Sequence, residues 1–214
     1  RQRQMCIRDS LDTAQSLGVE SVDMSMMNIS FLAFAGHKSL YGPLGIGGFI
    51  DSEQIKLKEI MAGGTGSSSL ILDMPTESPG KYEFASTNIV AISGLSQALK
   101  EIGTDNLKEE QKLVNRLVNG LSKIEDVIIY NPRTEVHRNI VSFNLSKYKA
   151  EELGTILDDD FGIAVRTGYH CAPFIHRWLK DEKYLGTVRV GIGKFNTEKD
   201  IDALLEAVQE LSEE

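Results

Sequence analysis

The sequence predicts a mixed α/β chain that closes with an α+β module of about 90 residues, from roughly residue 125 onward. Three observations predict it. Apolar runs of strand length recur, as at 29–35 and 140–145. Two longer runs, 89–102 and 107–124, repeat their apolar residues at helical spacing. Beyond Glu125 the two kinds of segment alternate. At 214 residues the chain is long enough to bury a core in one large domain or two small ones.

Taken in order, residues 1–10 hold three arginines without a helix or strand period and read as a lead-in. Asp12-Thr13-Ala14-Gln15-Ser16-Leu17-Gly18 looks like a strand end entering a polar loop. Residues 29–35 and 45–50 read as strands. Gly63-Gly64-Thr65-Gly66 with Ser67, Ser68 and Ser69 is a loop rich in backbone donors, and Pro75, Pro79 and Gly80 keep the next segment irregular. Thr87 and Asn88 precede a helix over 89–102. Thr104, Asp105 and Asn106 supply caps for a connecting helix over about 107–124, with Leu113, Val114, Leu117 and Leu121 on one face. Strands follow at 127–130, 140–145, 162–166 and 188–192, with a helix at 150–160. Thr197-Glu198-Lys199-Asp200 resembles a capping box opening an amphipathic last helix. Trp178 is expected to pack in the small domain, His137 and His176 to be structural or surface residues, and the acids at 151–152 and 158–160 to form a solvated helix face and end.

The net charge of −8 and a pI of about 5.1 argue against nucleic acid or an anionic membrane as partner, since either needs a basic face. Cys6 and Cys171 lie far apart and outside any paired spacing, so neither a disulfide framework nor a metal site is expected. No apolar run approaches the roughly 20 residues of a membrane-spanning helix, and no signal-peptide core is seen. The expected compartment is the reducing cytoplasm.

The stretch around Gly36-His37-Lys38 carries the chemistry. Four glycines (Gly42, Gly45, Gly47, Gly48) and Pro43 follow the lysine and shape a loop leading into a strand. By residue type alone, Lys38 is open between a solvated surface amine and a Schiff-base former. Pyridoxal 5'-phosphate (PLP) requires such an amine, an acid facing its pyridine nitrogen and donors for its phosphate. Lys38, Asp12, and His37 with the Gly64-Thr65-Gly66 loop could supply them. Asp12 could equally be a turn residue or helix cap, and Gln15 a surface amide.

Asp12-Thr13-Ala14-Gln15-Ser16, then Gly36-His37-Lys38 with Gly42-Pro43-Leu44-Gly45-Ile46-Gly47, resembles the cofactor segment of class V (fold-type I) PLP enzymes, the cysteine desulfurases in particular. Arg166-Thr167-Gly168-Tyr169-His170-Cys171-Ala172-Pro173 and Gly186-Thr187-Val188-Arg189-Val190 continue the match in the family's order. The resemblance implies that Lys38 is the Schiff-base lysine and His37 a phosphate neighbour. Asp12 would pair with the pyridinium nitrogen, and Gln15 would hydrogen-bond the ring 3-oxygen. Thr65 would lie near a dimer interface and reach the neighbouring subunit's phosphate. Arg189 would clamp the substrate carboxylate, Arg166 would be a pocket residue and second clamp, and Cys171 would receive sulfur as a persulfide.

The fold so implied is α/β: the C-terminal part of a PLP-transferase large domain with an incomplete mixed sheet (11–103), a connecting helix (104–124) and a small α+β domain (125–214). Family members are about twice as long, so the chain is expected to lack an N-terminal half. Ala35 stands where several desulfurases carry a phosphate-binding serine. The implied activity converts L-cysteine to L-alanine in a cytoplasmic homodimer, with a sulfur-acceptor protein serving iron–sulfur cluster or thio-cofactor synthesis. The alternatives are a class V aminotransferase, a selenocysteine lyase, or a non-catalytic fragment that does not bind PLP.

Overall fold

The computed structural model describes residues 9–52, 57–66, 70–131, 133 and 137–214, with the backbone alone for Thr104 and Asp105. They form two compact units, one ending at Ile102 and the other spanning Gly103–Glu214.

The first unit is built on a three-stranded mixed sheet. Strand β1 (Ser10–Asp12) runs parallel to the central β2 (Phe31–Ala35), and β3 (Gly47–Asp51) pairs antiparallel on the other side. Asp12 lies opposite Ala33, and Ala35 opposite Gly47. β3 starts at Gly47 rather than at 45, because Gly45 takes a left-handed φ of 80° that ends any extended run before it. Helix α1 (Ile89–Glu101) is capped as its sequence suggests, the Asn88 side chain accepting from the Ala91 N–H at 3.1 Å. Ala91 and Leu95 bury with Ile29, Leu32 and Leu40, while Ile89, Val90 and Ile92 stay exposed.

The second unit is a four-stranded antiparallel sheet with helices packed on its core. Its strands are β4 (Val127–Ile129), β5 (Ile140–Leu145), β6 (Arg166–Gly168) and β7 (Thr187–Gly191), in the order β4-β5-β7-β6. Alternate residues of β5 (Val141, Phe143, Leu145) and of β7 (Val188, Val190) point into one core. They meet Val114, Leu117, Val118 and Leu121 of α2 (Thr104–Leu121), Leu153 and Leu157 of α3 (Ala150–Asp159), and Leu204, Val208 and Leu211 of α5 (Glu198–Glu213). The capping box at α5 forms: the Asp200 carboxylate accepts the Thr197 N–H at 2.8 Å and its hydroxyl at 3.2 Å.

Several expectations are corrected. Ser10 belongs to β1, and the Asp9 carbonyl accepts from Phe31, so the lead-in does not run to residue 10; residues 1–8 lie outside the described set. The expected strand over 162–166 appears instead as β6, because Gly162 (φ 66°) and the Ile163 N–H close the end of α3 on Asp158 and Leu157, leaving Ile163 and Val165 to pack rather than pair. Helix α2 starts at Thr104 with Gly103 as its cap, so Thr104, Asp105 and Asn106 are its first turn; it lies in the second unit's core. Trp178 does not pack: it is 88% exposed on a five-residue helix, α4 (Ile175–Leu179), that apolar periodicity does not announce. Among the described residues no helix is long and apolar enough to cross a membrane.

Candidate functional site

Parallel pairing of β1 and β2 brings their carboxyl ends to the same end of the sheet, where open α/β sheets hold ligands. Asp12 is the last residue of β1, and His37 and Lys38 follow the end of β2 by two and three positions. The Asp12 carboxylate accepts the Ala14 N–H at 2.9 Å, which turns the chain into the loop carrying Gln15. Buried Thr13 anchors that loop, its hydroxyl donating to the Ala33 carbonyl at 2.8 Å. The loop after β2 closes with the Gly42 N–H on the Gly36 carbonyl at 2.7 Å. The two loops touch: at Gly18 (φ 93°) a Cβ would stand 2.7 Å from the Ser39 carbonyl, so only glycine allows the approach. Asp12, Gln15, His37 and Lys38 are all solvent-exposed on these two loops. Thr65 does not join them; it lines a separate hollow with Gly64, Gly66, Ser86 and Thr87.

In the second unit, Arg166 on β6 and Arg189 on β7 stand directly opposite each other. Like charges in register repel, so the pair forms a positive face suited to a carboxylate. Burial lowers the Arg189 guanidinium's pKa first, and the charge of Arg166 adds to the effect. β6 runs into a tight turn, Tyr169-His170-Cys171-Ala172, closed by the Ala172 N–H on the Tyr169 carbonyl at 2.8 Å. Both central residues have positive φ, 50° at His170 and 65° at Cys171, the pattern of a type I′ turn that glycine and asparagine normally fill. The turn leaves Cys171 exposed as a free thiol.

One end of the turn is tied to β7, where His170 Nε2 lies 2.9 Å from the Thr187 carbonyl and 3.0 Å from its hydroxyl. Burial pulls the His170 imidazole below its ordinary value, and the charges of Arg189 and Arg166 add to this against the Thr187 bond. Behind the turn lies a pair that residue spacing does not reveal, buried His176 and Asp181, with Nδ1 to Oδ2 at 2.7 Å. Of the alternatives held for it, His176 is the structural residue; His137 is also buried, its Nδ1 3.1 Å from the Ile140 carbonyl.

A larger apolar hollow in the first unit, lined by Phe31, Phe49, Leu57, Met61, Tyr82 and Phe84, contains none of these residues. Phe49 stacks on Phe31 at 5.2 Å, making the hollow the uncovered side of the sheet rather than a site of chemistry.

Residues 3–204 match the family model for aminotransferase class-V. The chain belongs to the class-V aminotransferase family. Among relatives of this class-V chain, a probable cysteine desulfurase of Pyrococcus abyssi is 35% identical, over 94% of the chain and 51% of the relative. A cysteine desulfurase of Escherichia coli is 32% identical, over 94% and 50%. Among solved structures, the cysteine desulfurase CsdA of Escherichia coli superposes with a TM-score of 0.80 at 25% identity, over 97% of this chain and 52% of that one. An apo cysteine desulfurase of Thermococcus onnurineus gives 0.77 at 31% identity, over 95% and 52%. The class-V chain thus spans about half the length of the relatives it matches. Its mixed α/β architecture is that of these structures.

The donor set suits PLP, the cofactor of this family: an acid at the end of β1 that could face the ring nitrogen, and an amide, an imidazole and an amine on the joined loops after β1 and β2 that could meet the ring oxygen, the phosphate and the aldehyde.

Proposed function

We propose that this class-V chain carries the chemistry of a PLP-dependent cysteine desulfurase, converting L-cysteine to L-alanine with the sulfur received on Cys171. The observation that carries the reading is the exposed Cys171 thiol on a turn that leaves the paired Arg166–Arg189 strands. Similarity to cysteine desulfurases from two organisms supports it.

In this reading Asp12 would hold the proton of the ring nitrogen, Gln15 would donate to the ring oxygen, Lys38 would hold the aldehyde carbon and move a substrate proton at its Nζ, and His37 would contact the phosphate. PLP, when bound, supplies the electron sink that lets the substrate's carbon–sulfur bond break. Arg189 grips the substrate carboxylate and Arg166 assists. Cys171 Sγ, as thiolate, would form the S–S bond to the substrate sulfur as the C–S bond breaks, the bonding pair passing to the substrate β-carbon, which takes up a proton to become the methyl of alanine. The reading extends to a second copy of the chain, whose phosphate Thr65 would reach, and to an acceptor protein that takes the persulfide sulfur.

Absorbance of the purified chain with added PLP tests the reading. A band near the visible edge is expected, absent in Lys38→Ala. Cys171→Ser is expected to keep the band and to abolish sulfide release from cysteine. No band, a band indifferent to Lys38→Ala, or turnover retained in Cys171→Ser would each refute the corresponding assignment.

A further inference from the structure

We propose that His176, held by Asp181, is a positioning residue for Cys171: it clamps the turn that presents the thiol. The proposal rests on the desulfurase reading for what Cys171 does, but the clamp itself is argued from geometry alone.

His176 and Asp181 are 3% and 1% exposed. The imidazole Nδ1 faces Asp181 Oδ2 at 2.7 Å, and Nε2 faces the Tyr169 carbonyl at 3.3 Å. That carbonyl also closes the turn by accepting the Ala172 N–H at 2.8 Å. Two donors therefore converge on one oxygen at the foot of the segment holding His170 and Cys171. A carbonyl and an ionised carboxylate both only accept, so the ring that bonds them donates from Nε2 to the Tyr169 carbonyl and from Nδ1 to Asp181. The Tyr169 ring meets the His176 ring edge-on, centroids 5.0 Å apart. Left-handed Lys180 (φ 55°) ends α4 just before Asp181, returning the carboxylate toward the helix it follows.

Stability does not explain this arrangement. A buried polar pair gives no more stability than a well-packed apolar pair of the same volume. Here Asp181 Oδ1 and the neighbouring Tyr184 hydroxyl are buried with no hydrogen-bond partner among the described residues. Tyr130 is pushed up to about 12, mainly by burial and next by the charge of Asp181, so the carboxylate stands in a confined setting of phenols. What the pair does reach is the Cys171 turn. Two successive non-glycine residues with positive φ persist only where their surroundings over-determine them. His170 on Thr187 holds the turn from one side, and His176 on Tyr169 holds it from the other.

Hydrogen exchange on the 214-residue chain tests the clamp, with His176→Phe, which keeps ring volume, and Asp181→Asn, which keeps shape. In both, the Ala172 amide is expected to exchange about tenfold faster relative to the β5–β7 ladder amides. Alkylation of Cys171 by iodoacetamide, followed by peptide mapping with Cys6 as internal comparison, is expected to slow about threefold as Sγ loses its fixed, exposed place on the turn. Ala172 exchange that moves only in step with the ladder, or an unchanged Cys171 rate, overturns the proposal. Should the variants fail to fold, a long-range 1H–15N spectrum of the unaltered chain decides it: a proton on His176 Nε2 is required, and a bare Nε2 overturns the clamp. Neither cofactor nor substrate enters these readouts. Failure of the desulfurase reading therefore leaves the clamp standing, and failure of the clamp leaves the role of Cys171 untouched.

Discussion

Arg189 is half-buried, opposite another guanidinium, and its pKa is lowered by burial and by that charge. On the proposed desulfurase reading it would receive the substrate carboxylate, and its planar fork matters as much as its charge. On that reading Arg189→Lys is expected to raise KM for cysteine about tenfold with a smaller change in kcat, measured in steady-state desulfurase assays. His170 reports the same field. Its imidazole is lowered by burial first and by Arg189 and Arg166 after that. The folded chain thus binds fewer protons than the unfolded chain below the ordinary histidine value of 6.5, and the contribution of His170 to stability falls as pH drops through that value toward the depressed one. An NMR titration of Arg166→Gln is expected to show the His170 midpoint moving upward, since one repelling charge is gone.

At the scale of elements, the antiparallel pairing of β6 and β7 depends on two glycines that touch. A Cβ on Gly186, whose φ is 117°, would lie 2.4 Å from the Gly168 carbonyl carbon, inside backbone that has no rotamer to yield. Gly186→Ala is expected to cost about 3 kcal/mol, read as a lowered denaturation midpoint, with Gly191→Ala, where a Cβ meets nothing, as the contrast. Helices were the most legible elements. Leu113, Val114, Leu117 and Leu121 bury as their spacing implies, and the Thr197–Asp200 box forms. β6 was misplaced because Ile163 and Val165 are apolar for packing rather than for pairing, a distinction that a short run does not carry. α4 was invisible because five residues with an exposed tryptophan make no period. The motifs place Asp12 and Lys38 together in sequence order, and the parallel pairing of β1 and β2 brings both to the same end of the sheet. The partners that hold the Cys171 turn were not legible, because a carbonyl of Tyr169 and a carboxylate of Asp181 leave no mark on residue spacing.

At the scale of the molecule, the two units differ in what they bury. Among the described residues, twenty apolar side chains form one core in the second unit, whereas the first buries Ile29, Leu32, Leu40, Ala91 and Leu95 and exposes most of one helix face. Residues 103–214 are thus expected to unfold cooperatively as an isolated fragment, and residues 1–102 to show no sharp thermal transition by circular dichroism. The fragment also carries an acid-labile clamp. Asp202 accepts from Arg116 Nε at 2.6 Å and Nη2 at 2.8 Å, joining α5 to α2, and these bonds hold its carboxyl below the usual 3.8. Asp200 is lowered by the Thr197 N–H. Both contributions are fully present above 3.8 and are lost as pH falls through the depressed values, so stability is expected to decline on acidification in that range. Arg116→Ala is expected to remove the Asp202 share, seen as a shallower acid limb in a denaturation series.

The left-handed turn at His170 and Cys171 also sets the proposed role of the thiol against thermal robustness. A cysteine there is the wrong residue for the backbone, and Cys171→Gly is expected to make the folded chain more stable by about 1 kcal/mol while removing its thiol. A library of this chain screened only for heat resistance would drift away from cysteine at 171, and only a screen that also demands sulfur on the protein would hold it there.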